Sequence, residues 1–353
     1  MDDTVWSEQR TTPDAIEAAL RELVHDVHTQ HGGAPARVIN MVAFVDRQYS
    51  GEIANRLRGV GRYHASRLIV LAYEPGREHL DARVTVSAED DVTTGELALL
   101  HESVVVELGA THMDDLLTIV DPLVVTDLPT LLWAPHGHHE AIDALTPLAQ
   151  SLLLDSVEES VWRDALDYAA RRTEYLYVVD LAWLRSTPWR ERIAAAFERP
   201  QRREELDTIA RVTIRHHPRF TVSAMLLSGW LASRLHWQVE PLVAHTSATE
   251  VVSGRARSRR QDISLSLQAV PDQQVPGLDG LTIETASGRL LTLDRGPGGL
   301  DAEERTPRGD TRRWLILGAS RGEGGILGEG IRQSLLRDPT YNPALHAARA
   351  MTP

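Results

Sequence analysis

Two hydrophobic periodicities alternate through the first half of the chain. Ile16, Leu20, Leu23 and Val27 recur at helical spacing within residues 13–28, which predicts an amphipathic helix. Residues 38–45, Val-Ile-Asn-Met-Val-Ala-Phe-Val, form an almost unbroken apolar run of strand length, as in a sheet covered on both faces. The same two patterns predict a helix over 50–60, strands at 67–72, 83–88 and 102–108, and a helix over 113–120. A short strand at 130–133, a helix over 140–150 and strands at 152–155 and 175–179 complete the series. Such alternation predicts an α/β fold, a mostly parallel sheet flanked by helices.

Beyond about residue 200 the pattern changes. Residues 207–216 suit a strand or a helix, and 221–235 read as a strongly apolar helix containing Met225, Leu226, Leu227, Trp230 and Leu231. Ile263, Leu265, Leu267 and Ala269 alternate with polar residues, as in a half-exposed strand. Segments 281–286 and 289–293 flank Ser287-Gly288, a tight-turn dipeptide that predicts a hairpin. Residues 296–310, with their prolines, glycines and scattered charge, predict a loop before the strand-like 314–317. This half reads as α+β. At 353 residues the chain exceeds what one core usually supports, so two domains are expected, 1–200 and 201–353.

Composition narrows the chemistry. The absence of cysteine excludes disulfides, thiolate nucleophiles and cysteine-ligated zinc within this chain. All 37 basic residues are arginine, so a lysine Schiff base and a GKS/GKT phosphate loop are excluded as well. A net charge of −13 disfavours a nucleic-acid binder, which needs a basic face for phosphates. The acidity is uneven: no arginine occurs from Val84 through Trp162, a stretch carrying Glu89, Asp90, Asp91, Glu96, Glu102 and Glu107, and such a region can steer a basic partner patch. The first 14 residues lack a signal-peptide pattern and no apolar run approaches the roughly 18 residues of a membrane span. A cytoplasmic protein that engages neither membrane nor nucleic acid is expected.

Several motifs are weaker than they look. Gly318-Ala319-Ser320-Arg321-Gly322 matches a nucleophile elbow, but Gly324 and Gly325 oppose the helix that must follow and only Asp338 and His346 remain downstream as partners. The glycines from 322 to 330 give no G-x-G-x-x-G at a strand-to-helix junction and predict a flexible loop. His136, His138, His139 and Glu140 are the densest candidate metal cluster, yet adjacent His138 and His139 point apart and no H-E-x-x-H spacing occurs. A loop entering a helix is the preferred reading, with no metal, cofactor or catalytic residue assigned. Arg255, Arg257, Arg259 and Arg260 form the one dense basic run, read as a solvated loop between strands.

The richest segment is Asp180-Leu181-Ala182-Trp183-Leu184-Arg185-Ser186-Thr187-Pro188-Trp189-Arg190-Glu191. Thr187 suits an N-cap and Pro188 the first helical position, and Trp189, Ile193, Ala196 and Phe197 continue one apolar face. Composition alone leaves open whether Trp183 and Trp189 fill a core or face a partner; with the neighbouring arginines the block reads as a contact surface. In wording and order this segment resembles the OpcA family, the glucose-6-phosphate dehydrogenase assembly proteins. Further similar stretches are His64-Ala65-Ser66-Arg67, which has Ala65 where the family usually has proline, residues 127–133 (Asp-Leu-Pro-Thr-Leu-Leu-Trp), Asp155-Ser156, residues 227–235, and 337–341 (Arg-Asp-Pro-Thr-Tyr).

The resemblance implies a bacterial, non-catalytic accessory protein of the oxidative pentose phosphate pathway. It would bind glucose-6-phosphate dehydrogenase, an NADP-dependent enzyme, and promote its assembly or active conformation as an allosteric activator. On that implication the partner-contacting residues are expected to be Trp183, Arg185, Trp189 and Arg190, supported by Arg67 and Glu102. The alternative is a stand-alone enzyme or sensor acting on a phosphorylated sugar or nucleotide.

Overall fold

The computed structural model describes residues 4–31, 37–61, 66–89, 99–246, 250–273, 275, 277–296, 298–317 and 322–353. His64, Ala65, Asp90, Asp91, Glu96 and the elbow residues 318–321 lie outside them. The chain is α/β and divides into two compact units. Unit 1 comprises Met1–Leu154, Leu176–Val179 and Leu327–Leu336; unit 2 comprises Asp155–Tyr175, Asp180–Ile326 and Arg337–Pro353. The division therefore differs from the expected cut at residue 200. It falls at 154/155, and the chain returns to unit 1 for one strand and part of one helix.

Unit 1 is an eight-stranded mixed sheet built from β1 (Thr4–Gln9), β2 (Ile39–Asp46), β3 (Ser66–Tyr73), β4 (Asp81–Glu89), β5 (Leu99–Leu108), β6 (Thr130–Trp133), β7 (Ser151–Leu154) and β8 (Tyr177–Asp180). Its order is β1-β4-β5-β3-β2-β6-β7-β8. The parallel centre, β5-β3-β2-β6-β7, carries the apolar runs legible in the sequence; Met41 to Val45, Ile69 to Ala72 and Leu131 to Trp133 are all buried, as strands covered on both faces must be. The strand at 4–9, with no apolar run, was not predicted; it pairs antiparallel with β4 at the sheet edge. The unit's helices are α1 (Pro13–His31), α2 (Ser50–Gly61), α3 (Leu116–Val120) and α4 (His139–Leu145). Ile16, Leu20 and Val27 of α1 enter the core with Val84, Val86, Val104 and Val106 of the sheet.

Unit 2 begins with α5 (Trp162–Arg172), then α6 (Leu181–Arg185), α7 (Thr187–Ala196), α8 (Pro200–Leu206) and α9 (Thr221–Arg234). Its sheet contains β9 (Ile209–His216), β10 (Gln238–Val239), β11 (Val243–Thr246), β12 (Glu250–Arg257), β13 (Asp262–Ala269), β14 (Leu278–Thr285), β15 (Leu290–Gly296), β16 (Gly299–Arg305) and β17 (Thr311–Leu317), and the chain closes with α10 (Gly322–Leu336) and α11 (Tyr341–Ala350). Of residues 207–216, Ile209–His216 form strand β9, and among the described strands of this sheet only the β9–β13 pair is parallel. The predicted hairpin forms between β14 and β15, with Gly288 at φ 86° in its turn, a conformation glycine adopts without strain.

Two loop expectations are corrected. Residues 299–305 form β16, paired on both sides, because Leu300 and Ala302 alternate inward, with the ion-paired Glu304 on the same face, while Asp301, Glu303 and Arg305 line the other. The glycine-rich stretch from 322 is the start of α10, whose Ile326, Leu327 and Ile331 recur at helical spacing and are buried; that apolar stripe outweighs the roughly 1 kcal/mol per glycine that disfavours helix. α9 buries eleven of its fourteen residues. A Cβ on Gly229 would meet the Ala344 carbonyl oxygen at 2.1 Å, so glycine is what lets α11 approach it.

Candidate functional site

The family-like segments of unit 2 converge on one buried knot. Asp180, the last residue of β8, accepts the Ala182 amide at 2.9 Å and so caps α6. The same carboxylate accepts the Ser156 amide at 3.1 Å, the Ser156 hydroxyl at 2.6 Å and the Tyr341 hydroxyl at 3.1 Å. Asp155 beside it takes a two-pronged contact from Arg185, at 2.9 and 2.7 Å, the geometry the guanidinium fork favours.

Trp183 forms the other half of the knot. Its indole N–H donates to Asp338 at 2.8 Å, its ring packs against Tyr341 at 5.7 Å, and the Arg190 guanidinium lies 3.5 Å from the ring centroid, a cation–π contact. Arg190 also donates to the Ser186 hydroxyl at 3.1 Å and the Thr187 hydroxyl at 2.9 Å, and lies 3.7 Å from Asp338. Thr340 donates through its amide and hydroxyl to the remaining Asp338 oxygen. Burial pushes the Asp338 carboxyl up, but the hydrogen bonds from Thr340 and Trp183 and the charge of Arg190 outweigh it and hold it below the ordinary range. Burial brings Arg190 down to about 10, against the opposing pull of Asp338 and Glu191.

The exposed contact surface expected here is not what the structure shows. Trp183 and Trp189 are each 2 % exposed, and Arg185 and Arg190 are largely covered and engaged within the chain. The reason is α6, a five-residue helix too short to show a period, capped by Asp180. It turns Trp183 inward, and it makes Thr187 the first helical residue of α7, not its cap. Arg67 and Glu102 are likewise internal. They are directly paired across β3 and β5, where Glu102, 2 % exposed, accepts from Arg67 at 2.6 Å and from Arg37, and Arg67 also donates to the Leu123 carbonyl at 2.9 Å. Sequence reasoning missed Arg37, and also the buried Asn40, whose amide fastens Val125, Leu128 and Thr130 around the family-like 127–133 stretch.

Asp180 is the one strongly shifted carboxylate of the knot. Burial raises it to about 6 from an ordinary 3.8, partly opposed by the Ser156 hydroxyl and reinforced by the charge of Asp155. The native state thus keeps its proton over a pH range in which the unfolded chain has released it. The stability Asp180 contributes is whole below about pH 4 and is lost as the pH rises through about 6. An Asp180→Asn variant does not titrate, so wild-type minus variant unfolding free energy is expected to fall by roughly 1 kcal/mol from pH 5 to pH 8. Urea denaturation at the two pH values measures this; a pH-independent difference would show an ordinary carboxyl.

A concavity of about 740 Å³ in unit 1 is lined by polar residues of β1, β4 and β5, with Arg47 and Arg77. These arginines already pair with Glu74, Asp81 and Glu107, so it is not a basic pocket for phosphate. Two of the four arginines of the basic run have acidic neighbours as well: Arg257 meets Asp262 at 2.9 Å and Arg260 lies 3.8 Å from Asp207. No helix among the described residues is long and apolar enough to cross a membrane.

Two family models, both for a glucose-6-phosphate dehydrogenase subunit, match the chain. The one for the N-terminal domain matches residues 58–173 and the one for the C-terminal domain matches residues 176–345. The chain belongs to the OpcA family. Similar proteins are the OpcA of Synechococcus elongatus, 28% identical over 165 residues, 43% of this chain and 36% of that protein, and the OpcA of Nostoc punctiforme, 32% identical over 124 residues, 34% of this chain and 27% of that protein. Both are provisionally named OxPP cycle proteins, and the matched stretch spans about a third or less of their length. Among solved structures, apo scyllo-inositol dehydrogenase from Lactobacillus casei aligns over 90% of this chain and 96% of its own at 12% identity and a TM-score of 0.47. The WlbA dehydrogenase from Thermus thermophilus aligns over 88% and 94% at 11% identity and 0.43. At that level nothing about activity carries across. The OpcA segments around 155, 180–191 and 337–341, scattered in sequence, are in this chain the parts of a single buried knot.

Proposed function

We propose that this chain is an accessory protein that binds glucose-6-phosphate dehydrogenase and favours its active assembly, leaving the chemistry to the partner. The observation that carries this reading is the run of two family matches, 58–173 followed by 176–345, to the two domains of one glucose-6-phosphate dehydrogenase subunit. The knot supports a non-catalytic role, since the one of its three carboxylates with a strongly raised pKa, Asp180, is 1 % exposed and engaged by Ser156, Ala182 and Tyr341. A general acid or base has to come within hydrogen-bond reach of substrate, and this one is sealed.

Trp183, Arg185, Trp189 and Arg190 then act by fixing α6 and α7, while the outward side of α7, with Glu191, Ala194 and Ala195 exposed, is the face they support. An activator of this kind works by binding the active state of the enzyme more tightly than the inactive one; a coupling of about 1–3 kcal/mol changes substrate affinity roughly 5- to 150-fold. Mixing the purified chain with its cognate dehydrogenase is expected to give a complex of summed mass and a change in the KM or kcat of NADP reduction. Absence of both a complex and a kinetic change would remove the proposal. Substrate-dependent turnover by the isolated chain would overturn the accessory role.

A further inference from the structure

Two neighbouring parallel strands of unit 1 deliver three metal-binding side chains to one point. β2 and β6 are paired in register with Ala43 opposite Trp133. Three residues further along each strand direction stand Asp46, the last residue of β2, and His136, in the turn after β6; His138 follows just before α4. This is also where the sheet reverses its winding. From β2 the chain proceeds to β3 on one side, whereas β6 and β7 extend the sheet on the other. In open α/β sheets, ligands gather in the crevice at the carboxyl ends of strands flanking such a reversal.

The geometry goes beyond this placement. One ligand atom from each of Asp46, His136 and His138 lies within 4.8 Å of the others. His138 Nε2 is 3.0 Å from an Asp46 carboxylate oxygen, yet it is buried and makes no hydrogen bond, since the contact is out of line. An ordinary Asp–His pair would aim its N–H at the carboxylate; two donors of one tetrahedral metal ion, each about 2.1 Å from it, face the ion instead and sit roughly 3.4 Å apart, a few tenths of an ångström beyond the 3.0 Å contact. The rings are held in place: His138 packs edge-on to Phe44 at 4.8 Å and lies 5.8 Å from Tyr73, and His136 packs on Tyr49 at 4.6 Å. The adjacent cation, Arg47, is drawn to Glu107 at 3.0 Å and Glu74 at 3.5 Å.

We infer that Asp46, His136 and His138 form a binding site for a first-row divalent transition metal of the zinc type. Two imidazoles and one carboxylate suit such ions better than magnesium or calcium, which prefer all-oxygen sets. A three-ligand site leaves coordination positions open to water or an oxyanion. The exposed His136 supplies the adjustment that draws the third donor in, while the half-buried His138 and Asp46 set the position. The inference is independent of the dehydrogenase reading. It revises the reading of 136–139 as a plain loop, because the third ligand stands ninety residues from His136 and no local spacing reveals it.

The test uses the full chain freed of metal by chelation. Calorimetric titration with Zn²⁺ is expected to show one ion bound tightly per chain, and Co²⁺ to give visible absorption bands of a nitrogen/oxygen site. Asp46→Asn and His136→Asn, both at solvent-accessible positions, are each expected to weaken Zn²⁺ binding at least about tenfold, and the double variant to abolish the tight site with its far-UV dichroism unchanged. X-ray absorption of the zinc-loaded wild type, which needs no variant, is expected to show two imidazoles on the metal. The proposal is overturned by absence of tight binding in the wild type, by a tight site that survives in the double variant, or by a first shell without two imidazoles.

Discussion

Trp183→Ala is expected to destabilise unit 2 by about 3–5 kcal/mol, the range for removing a buried tryptophan. The indole is 2 % exposed and meets three groups at once: Asp338 through its N–H, Tyr341 at its edge and the Arg190 guanidinium over its face. Truncation therefore opens a cavity, strips Asp338 of one of its donors and removes the ring that covers a largely buried cation. Each of these acts in the same direction. Trp183→Phe separates the contributions, since it keeps most of the packing and loses the N–H; about 1–2 kcal/mol is expected for it. The urea midpoint of the transition reporting unit 2 gives both values. A Trp183→Ala chain within 1 kcal/mol of wild type would mean that the indole is not the centre of the knot. The same pair addresses function: if Trp183 supports a surface without touching the partner, Trp183→Phe retains dehydrogenase binding, and if it is a direct contact, binding falls while the fold persists.

How far the sequence could be read depended on whether a signal was local. The apolar runs of β2, β3 and β6 reveal buried parallel strands because each residue's environment is written into its own stretch. The α9 helix was equally plain, with Met225, Leu226 and Leu227 all buried. The misreadings have a common cause, which is that the deciding group lies elsewhere in the chain. Trp183 reads equally as core or interface until Asp338, 155 residues on, is seen to take its N–H. The glycines of α10 read as a loop because their turn chemistry is local and the apolar stripe that overrides it begins only at Ile326. Strand β16 hides for a similar reason: its residues alternate, but charged neighbours and flanking glycines mask the period until β15 and β17 are found on either side. Asp155-Ser156 and residues 337–341 appear in the sequence only as separate resemblances; their meeting at Asp180 is a fact of the fold.

Glu102→Ala is the second large effect expected, about 3–5 kcal/mol, and it tests whether Arg67 is an interior group or a partner contact. Glu102 stands directly across from Arg67 in the β3–β5 ladder, with 1% of its side chain exposed, and both Arg67 and Arg37 donate to it. Removing one member of a buried ion pair leaves its partners charged and desolvated, which costs far more than the assembled pair contributes. Here two guanidinium groups, 12% and 18% exposed, would lose their shared carboxylate. Water can reach them only in part, and Arg67 would retain the Leu123 carbonyl. By the same reasoning, replacing Arg37, Arg67 and Glu102 together by Met, Met and Leu is expected to recover most of the loss, because no charge is then stranded. The exposed Glu17–Arg21 pair on α1 supplies the reference, since an exposed ion pair is screened by water and its removal is not expected to move the denaturation midpoint. If Glu102→Ala proved as mild as Glu17→Ala, the Arg67–Glu102 pair would have to be open to solvent, and a direct role at a partner surface would return for both residues.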